Sequence, residues 1–239
     1  MLVTGLWRYP VKSMLGERCE TLELDARGVK GDRLYAIRNA EGRFGSGKNT
    51  RRFRKIDGLF DFTASYVNAV PMLTFPDGTV RRGDDEAIDT ALTNALGQSV
   101  TLAREAAVPH FDAGPVHLLT SGALAWLKDR LPDSSIDERR FRPNIVIETQ
   151  GDQVREREWL GKFVMIGDVT LKIQEETERC GMVTFAQNGL RRAPEILRTI
   201  AQENELQFGL YADVIVPGKI SKGDAVTLGG DWGSYADIL

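Results

Sequence analysis

Short β-forming runs, broken every few residues by glycine, proline or aspartate, constrain this chain more than any other feature of it. Leu2 to Tyr9, Thr21 to Leu24, Leu34 to Arg38 and Phe60 to Val67 read as strands between polar or glycine-bearing turns. Met72 to Phe75 and Thr79 to Arg81 flank Pro76-Asp77-Gly78, where glycine supplies the positive φ of a hairpin turn. Ser99 to Ala103, Val116 to Leu119, Asn144 to Glu148, Lys162 to Ile166, Val169 to Gln174, Leu210 to Val216 and Ala225 to Leu228 continue the series. Helical spacing is confined to three stretches. Ala87, Ile88, Ala91, Leu92, Ala95 and Leu96 share one face, with Asp84 or Asp85 placed as cap and Gly97 as stop. Ser121 caps a second helix carrying Leu124, Leu127 and Leu131, and Pro132 ends it. Pro194 to Asn204 forms a third, with Ile196, Leu197, Ile200 and Ala201. Strands joined mostly by tight turns exclude a regular βαβ sheet. The expected class is mainly β (α+β), a barrel-like or strongly coiled sheet with a few peripheral helices. The stretch from about Arg104 to Ala113 has no clear period and divides residues 1–104 from 105–239. Gly229 to Leu239 reads as a loose tail.

The formal net charge of −3 argues against a general nucleic-acid binder. No apolar run approaches the roughly 20 residues that span a bilayer, and no basic leader precedes an apolar stretch. The expectation is a cytoplasmic protein with reduced thiols and no membrane partner. The soft metal donors are few and scattered: Cys19, His110, His117 and Cys180. None pairs at a metal-ligand spacing. Cys180 follows Arg179, and a lone thiolate beside a guanidinium suits two jobs. One is the single protein ligand of a metal otherwise held by an organic cofactor; the other is a nucleophile. The plainer reading is a buried, inert thiol. Cys19 is read as structural or incidental, and neither histidine is given a catalytic role.

Polar residues interrupt several strand ends: Lys12 and Ser13, Asp32 and Arg33, Thr120 and Ser121, Arg142 and Asn144, and Arg179. If they converge, cations take the anion of a phosphorylated organic ligand while hydroxyls and amide take its heteroatoms. Gly42 to Asn49 nearly matches a phosphate-binding P-loop but has asparagine where the hydroxyl is required, and no apolar-periodic helix follows. The basic stretch Lys48 to Lys55 then reads as an anion-binding loop beside the site, as a docking patch for an acidic redox partner, or as a plain solvated loop.

Tyr9-Pro10-Val11-Lys12-Ser13, Gly31-Asp32-Arg33, Phe141-Arg142-Pro143-Asn144, Arg179-Cys180 and Lys222-Gly223-Asp224-Ala225-Val226 occur in that order. The series resembles the MOSC family, the C-terminal domain of molybdenum cofactor sulfurase, with its N-terminal companion barrel. Within it, the pattern is most similar to the amidoxime-reducing component and its bacterial relatives. The resemblance implies an N-terminal β-barrel domain over 1–104 and a MOSC domain over 105–239. It implies a pyranopterin molybdenum cofactor with Cys180 as metal ligand and catalytic centre. Lys12, Ser13, Arg33, Arg142 and Arg179 would hold its phosphate and pterin, with Asn144, Thr120 and Ser121 making further polar contacts. The implied activity is two-electron reduction of small N-hydroxylated or N-oxide substrates, with protons from water, Glu175 or Glu176. Electrons are expected from a separate protein, because the chain lacks cysteines for an iron–sulfur cluster. Pyridoxal phosphate and haem are not expected. The alternative is a non-redox carrier of the cofactor, or of persulfide sulfur on Cys180; a third reading is a binding barrel for another anion. After the cysteine, the reductase-like relatives tend to carry Thr-Thr-Val-Asp, where this chain has Gly181-Met182-Val183-Thr184.

Overall fold

Alternation decides which face of each strand is buried. In Val169–Glu178, Val169, Leu171 and Ile173 point into the core while the residues between them do not. The computed structural model describes residues 1–151, 154 and 156–230, and places that strand in an eight-stranded sheet. Reading across it, the strands are Val226–Leu228, Phe163–Ile166, Val169–Glu178, Gln207–Val216, Val116–Thr120, Ile145–Glu148, Leu2–Arg8 and Glu17–Arg18. Neighbours are antiparallel except Val116–Thr120 beside Ile145–Glu148. The helix α2 (Ser121–Arg130) lies on the crossover between those two, as a parallel pair requires. The fold is mainly β, as expected, with three α-helices among the described residues. Among the described residues no sheet closes into a barrel; the sheets are open. The large sheet curls until its ends meet at one isolated bridge, Leu2 to Ala225, flanked by Val3 N–H to Asp224 O at 3.0 Å.

The first half supplies a four-stranded sheet (Val100–Arg104, Tyr35–Asn39, Phe44–Ser46, Phe53–Lys55) and a three-stranded meander (Val80–Arg82, Val70–Thr74, Thr63–Val67). Helix α1 (Ile88–Leu96) packs its apolar face here and ends at Gly97, whose φ of 66° suits a left-handed C-cap. A separate core fills this region, around Met14, Ile37, Phe62, Leu73 and Leu92. The pairing does not respect the division near residue 104. Leu2–Arg8 pairs with Ile145–Glu148, and Thr21–Asp25 pairs with Gly218–Ser221, so Val3, Leu6, Leu22 and Leu24 belong to the core of the large sheet. Helices α2 and α3 (Pro194–Asn204) cover a third cluster with Phe141, Val183 and Phe208.

Local corrections are few. Phe60 opens no strand: Leu59–Asp61 is a 3-10 turn, and the strand starts at Thr63. Helix α2 is capped by Thr120, not Ser121; its hydroxyl accepts the Ala123 amide at 3.1 Å. The 44–55 stretch is two short parallel strands, with no phosphate-binding helix after it. Residues 231–239, most of the expected tail, lie outside the described residues. No helix among the described residues is long and apolar enough to cross a membrane.

Candidate functional site

A cleft of about 390 Å³ opens between the first-half strands and the large sheet. Ser13, Arg33, Arg142, Arg179 and Cys180, five residues drawn from four of the sequence motifs, line it together. The backbone explains why they converge. Two bulges in the pairing of Val169–Glu178 with Gln207–Val216, at Ile173/Glu175 and Glu176/Glu178, break the alternation. A bulge turns the strand and re-aims its side chains. From the first of them onward the alternation of the core pattern is lost, and Glu175 through Cys180 all line the cleft.

Ser13, Arg33 and Arg142 all adopt left-handed backbone, with φ of 65°, 49° and 55°. That region is uncommon for residues with a Cβ, and its strain persists only where surrounding contacts enforce it. Arg142 also precedes Pro143, which disfavours compact backbone still further. The enforcing contacts are present. Arg33 N–H donates to Tyr9 O at 2.7 Å, and Arg142 Nη1 donates to Met14 O at 2.6 Å. The carbonyl of Arg142 accepts from His117 Nδ1 at 3.2 Å and from Arg33 Nη2 at 3.3 Å.

The guanidinium groups differ in their commitments. Arg179 has a protein partner at each nitrogen: Nε donates to Phe208 O at 2.6 Å, Nη1 to Phe141 O at 3.1 Å and Nη2 to His117 Nε2 at 2.6 Å. Arginine only donates, so His117 Nε2 is the acceptor and the imidazole proton sits on Nδ1, aimed at Arg142 O. Burial and the Arg179 charge push the His117 pKa well below the ordinary histidine value, which fixes the neutral ring. Gly209, at φ 93°, leaves room for the pair: a Cβ there would stand 2.5 Å from His117 Nε2 and 2.9 Å from Arg179 Nη2. Arg33 is ion-paired with buried Asp32, whose other oxygen accepts the Tyr9 amide at 2.8 Å. The Tyr9 ring lies 5.0 Å from the Arg33 guanidinium carbon and 4.2 Å from that of Arg142. Its π-face softens the repulsion between the two cations. Of the arginines lining the cleft, Arg142 alone keeps a buried nitrogen, Nη2, without a hydrogen-bond partner among the described residues; Arg38 Nε, outside the cleft, is the other such arginine nitrogen. Burial, then Arg33, lowers its pKa to about 10.

Cys180 is half-buried at the start of the 3-10 turn Gly181–Thr184, beside an open space at Gly181. Arg140, 1% exposed, staples that turn by donating to the carbonyls of Val183, Phe185 and Arg191. The basic stretch supplies the opposite wall. Lys48 lines the cleft, and Gly47 approaches the turn so closely that a Cβ would stand 2.3 Å from Met182 Sδ. Arg52 instead ties down the carbonyls of Pro109 and Phe111.

The other expected site residues lie elsewhere. Lys12 is 2% exposed and reaches the cleft only through Asp112, to which its ammonium donates. Asn144 is a register clip: its Oδ1 accepts the His117 amide at 3.0 Å and its Nδ2 donates to Trp7 O at 3.3 Å. Thr120 borders a separate pocket, where it donates to Glu156 Oε1. Ser121 bonds Thr149. Sequence reasoning gave no site role to His117, Asp112, Arg140, Tyr9 or Tyr211, the last of which also lines the cleft. His117 is flanked by Val116, Leu118 and Leu119 in a fully buried strand, which reads as core and carries no signal of a partner 62 residues away.

The chain matches the family models MOSC domain over residues 105–227 and MOSC N-terminal beta barrel domain over residues 1–105. It is 32% identical over 119 residues to the molybdenum cofactor sulfurase of Bombyx mori, and 31% identical over 113 residues to molybdenum cofactor sulfurase 1 of Aedes aegypti. These alignments take in 46% and 42% of this chain but only 14% of each sulfurase. The YuaD protein from Bacillus subtilis has the same fold at a TM-score of 0.54, covering 95% of this chain and 94% of that one at 12% identity. The chain belongs to the MOSC family.

Proposed function

We propose that the cleft binds a molybdenum-bearing pyranopterin, and that the protein uses it to reduce small N-hydroxylated or N-oxide compounds. The observation that carries this reading is the buried, unpartnered Arg142 Nη2 on a strained turn, in the same cleft as a half-buried thiol. An orphaned buried donor is costly, of order 1–3 kcal/mol, and an anionic ligand would satisfy it. Among the described residues no three His, Cys, Asp or Glu side chains form a metal cluster, so a metal here would take Cys180 and complete its shell from the pterin.

Arg142, with Ser13 and Arg33, would hold the phosphate and pterin; Cys180 would supply the thiolate. When bound, the metal supplies two-electron oxygen-atom chemistry. The chain's own residues orient and protonate. Arg179, partnered at each nitrogen, fixes its own position beside Cys180 and keeps a positive charge nearby. Met182 and Phe53 narrow the cleft against water. Reduction breaks the substrate N–O bond, takes in two electrons and two protons, and releases amine and water. Glu175 faces the cleft without a side-chain partner among the described residues, whereas Glu176 is tied to Arg157 at 2.9 Å. Glu175 is therefore the better-placed proton relay. A separate protein supplies the electrons, docking over the exposed Lys48 side.

Cofactor-loaded protein with an artificial reductant should convert an N-hydroxyamidine to the amidine, and Glu175→Gln should slow turnover more than it raises KM. Loaded protein that reduces no N-hydroxylated substrate would contradict the proposal. The likeness to the sulfurases favours a second reading, a carrier of persulfide on Cys180. It predicts one extra sulfur mass on the intact protein, lost on reduction.

A further inference from the structure

Lys12 and Asp112 touch, but they present different things to the cleft. The Lys12 ammonium is buried and donates to His110 O at 2.9 Å and to the Asp112 carboxylate. The Asp112 side chain is 54% exposed and lines the cleft, whereas Lys12 does not. The carboxylate is therefore a lid over the ammonium. Partial desolvation by the cleft walls opposes its ionisation, yet Lys12, Arg33 and Arg142 together hold it well below the usual carboxylate range. Arg142 keeps its free Nη2 in the same cleft. An anion entering toward these cations meets Asp112 first.

Resting on the reading that the cleft takes a phosphorylated ligand, we propose that Asp112 is a specificity-determining residue: its carboxylate stands in at Lys12 for the ligand's anionic group and gives way to phosphate but not to carboxylate. A phosphate monoester carries about −1.5 to −2 charge at pH 7 and three acceptor oxygens, against one charge and two oxygens for a carboxylate. It can satisfy Lys12 and Arg142 Nη2 together. A free carboxylate gains nothing over Asp112, which is tethered and acts at millimolar effective concentration or above. The exchange would move a short segment only. Asp112 lies in a stretch anchored on either side, by Glu105 on Arg27 at 2.6 Å and by the strand from Val116.

The test titrates the cofactor-free protein with inorganic phosphate and with acetate, for wild type and Asp112→Asn. Wild type should bind phosphate and not acetate at the same concentration. The variant should bind phosphate about tenfold tighter, a change of about 1.4 kcal/mol, and acquire acetate binding. Equal or weaker phosphate binding by the variant overturns the assignment and leaves the anion-binding cleft standing. No phosphate binding by either protein overturns both. Should the variant fail to fold, wild type decides alone: phosphate should speed amide hydrogen exchange at Phe111 to Ala113, and unchanged exchange with phosphate bound overturns the exchange of anions.

Discussion

Arg179 and Arg142 face the same cleft and are similarly buried, yet one guanidinium is spent on the protein and the other is not. Arg179 donates to two carbonyls and a histidine, and the glycine that admits this pairing, Gly209, serves the same arrangement. Arg142 makes one side-chain hydrogen bond, sits on left-handed backbone before a proline, and leaves Nη2 open. The lesson is a division of labour within one charge type. Arg179 builds the wall that carries Cys180, and Arg142 keeps a donor free for the proposed ligand. A sequence reading that assigned both to the cofactor could not separate them, because their difference lies in partners distant along the chain.

The sharpest way to break that comparison is to remove each guanidinium. Arg179→Met strands the Phe141 and Phe208 carbonyls and His117 Nε2, and should cost about 3–5 kcal/mol of unfolding free energy. Arg142→Met should cost only about 1 kcal/mol but weaken phosphate binding about tenfold or more. Denaturant unfolding and phosphate titration of the two variants check this; equal stability losses would erase the distinction.

A second test uses pH. His110 is buried with neither ring nitrogen hydrogen-bonded among the described residues, and burial lowers its pKa to about 4. Between pH 6.5 and pH 4 the unfolded chain binds a proton that the fold refuses, so stability falls as pH falls through that window. The loss should reach about 2 kcal/mol by pH 5. His117, also held neutral, acts in the same direction. His110→Phe keeps the edge-on contact with Phe44 and should flatten the pH profile with little change at pH 8. A profile as steep as wild type would show that His110 is not the titrating group.

The smallest effect is expected on the basic wall. Arg51 and Arg54 are exposed, and replacing either by alanine should shift stability by no more than about 0.5 kcal/mol. Arg52→Ala should instead loosen Pro109 and Phe111, visible as faster hydrogen exchange there.

Much of the fold was legible because period-2 alternation and turn residues are local signals. The Pro76-Asp77-Gly78 hairpin, the Gly97 stop and the Pro194 start all appear where the sequence places them. The failures are non-local. No local pattern says that Leu2–Arg8 will pair with Ile145–Glu148, or that the curled sheet stops short of closure. In the site, the motif residues Ser13, Arg33, Arg142, Arg179 and Cys180 were readable, since polar residues at strand ends stand out. Asp112 was not: it sits in a stretch without periodicity, and its meaning comes from an ammonium 100 residues away. Arg140 was hidden by its neighbour Arg139, because nothing in the sequence says which one turns inward.

The most direct test of the central claim is molybdenum and pterin content, measured on protein co-expressed with molybdate, for wild type and Cys180→Ser. The account predicts stoichiometric molybdenum and pterin in the wild type, with the metal lost from the variant. Equal metal in both proteins, or no pterin in the wild type even after free cofactor is supplied, would contradict it.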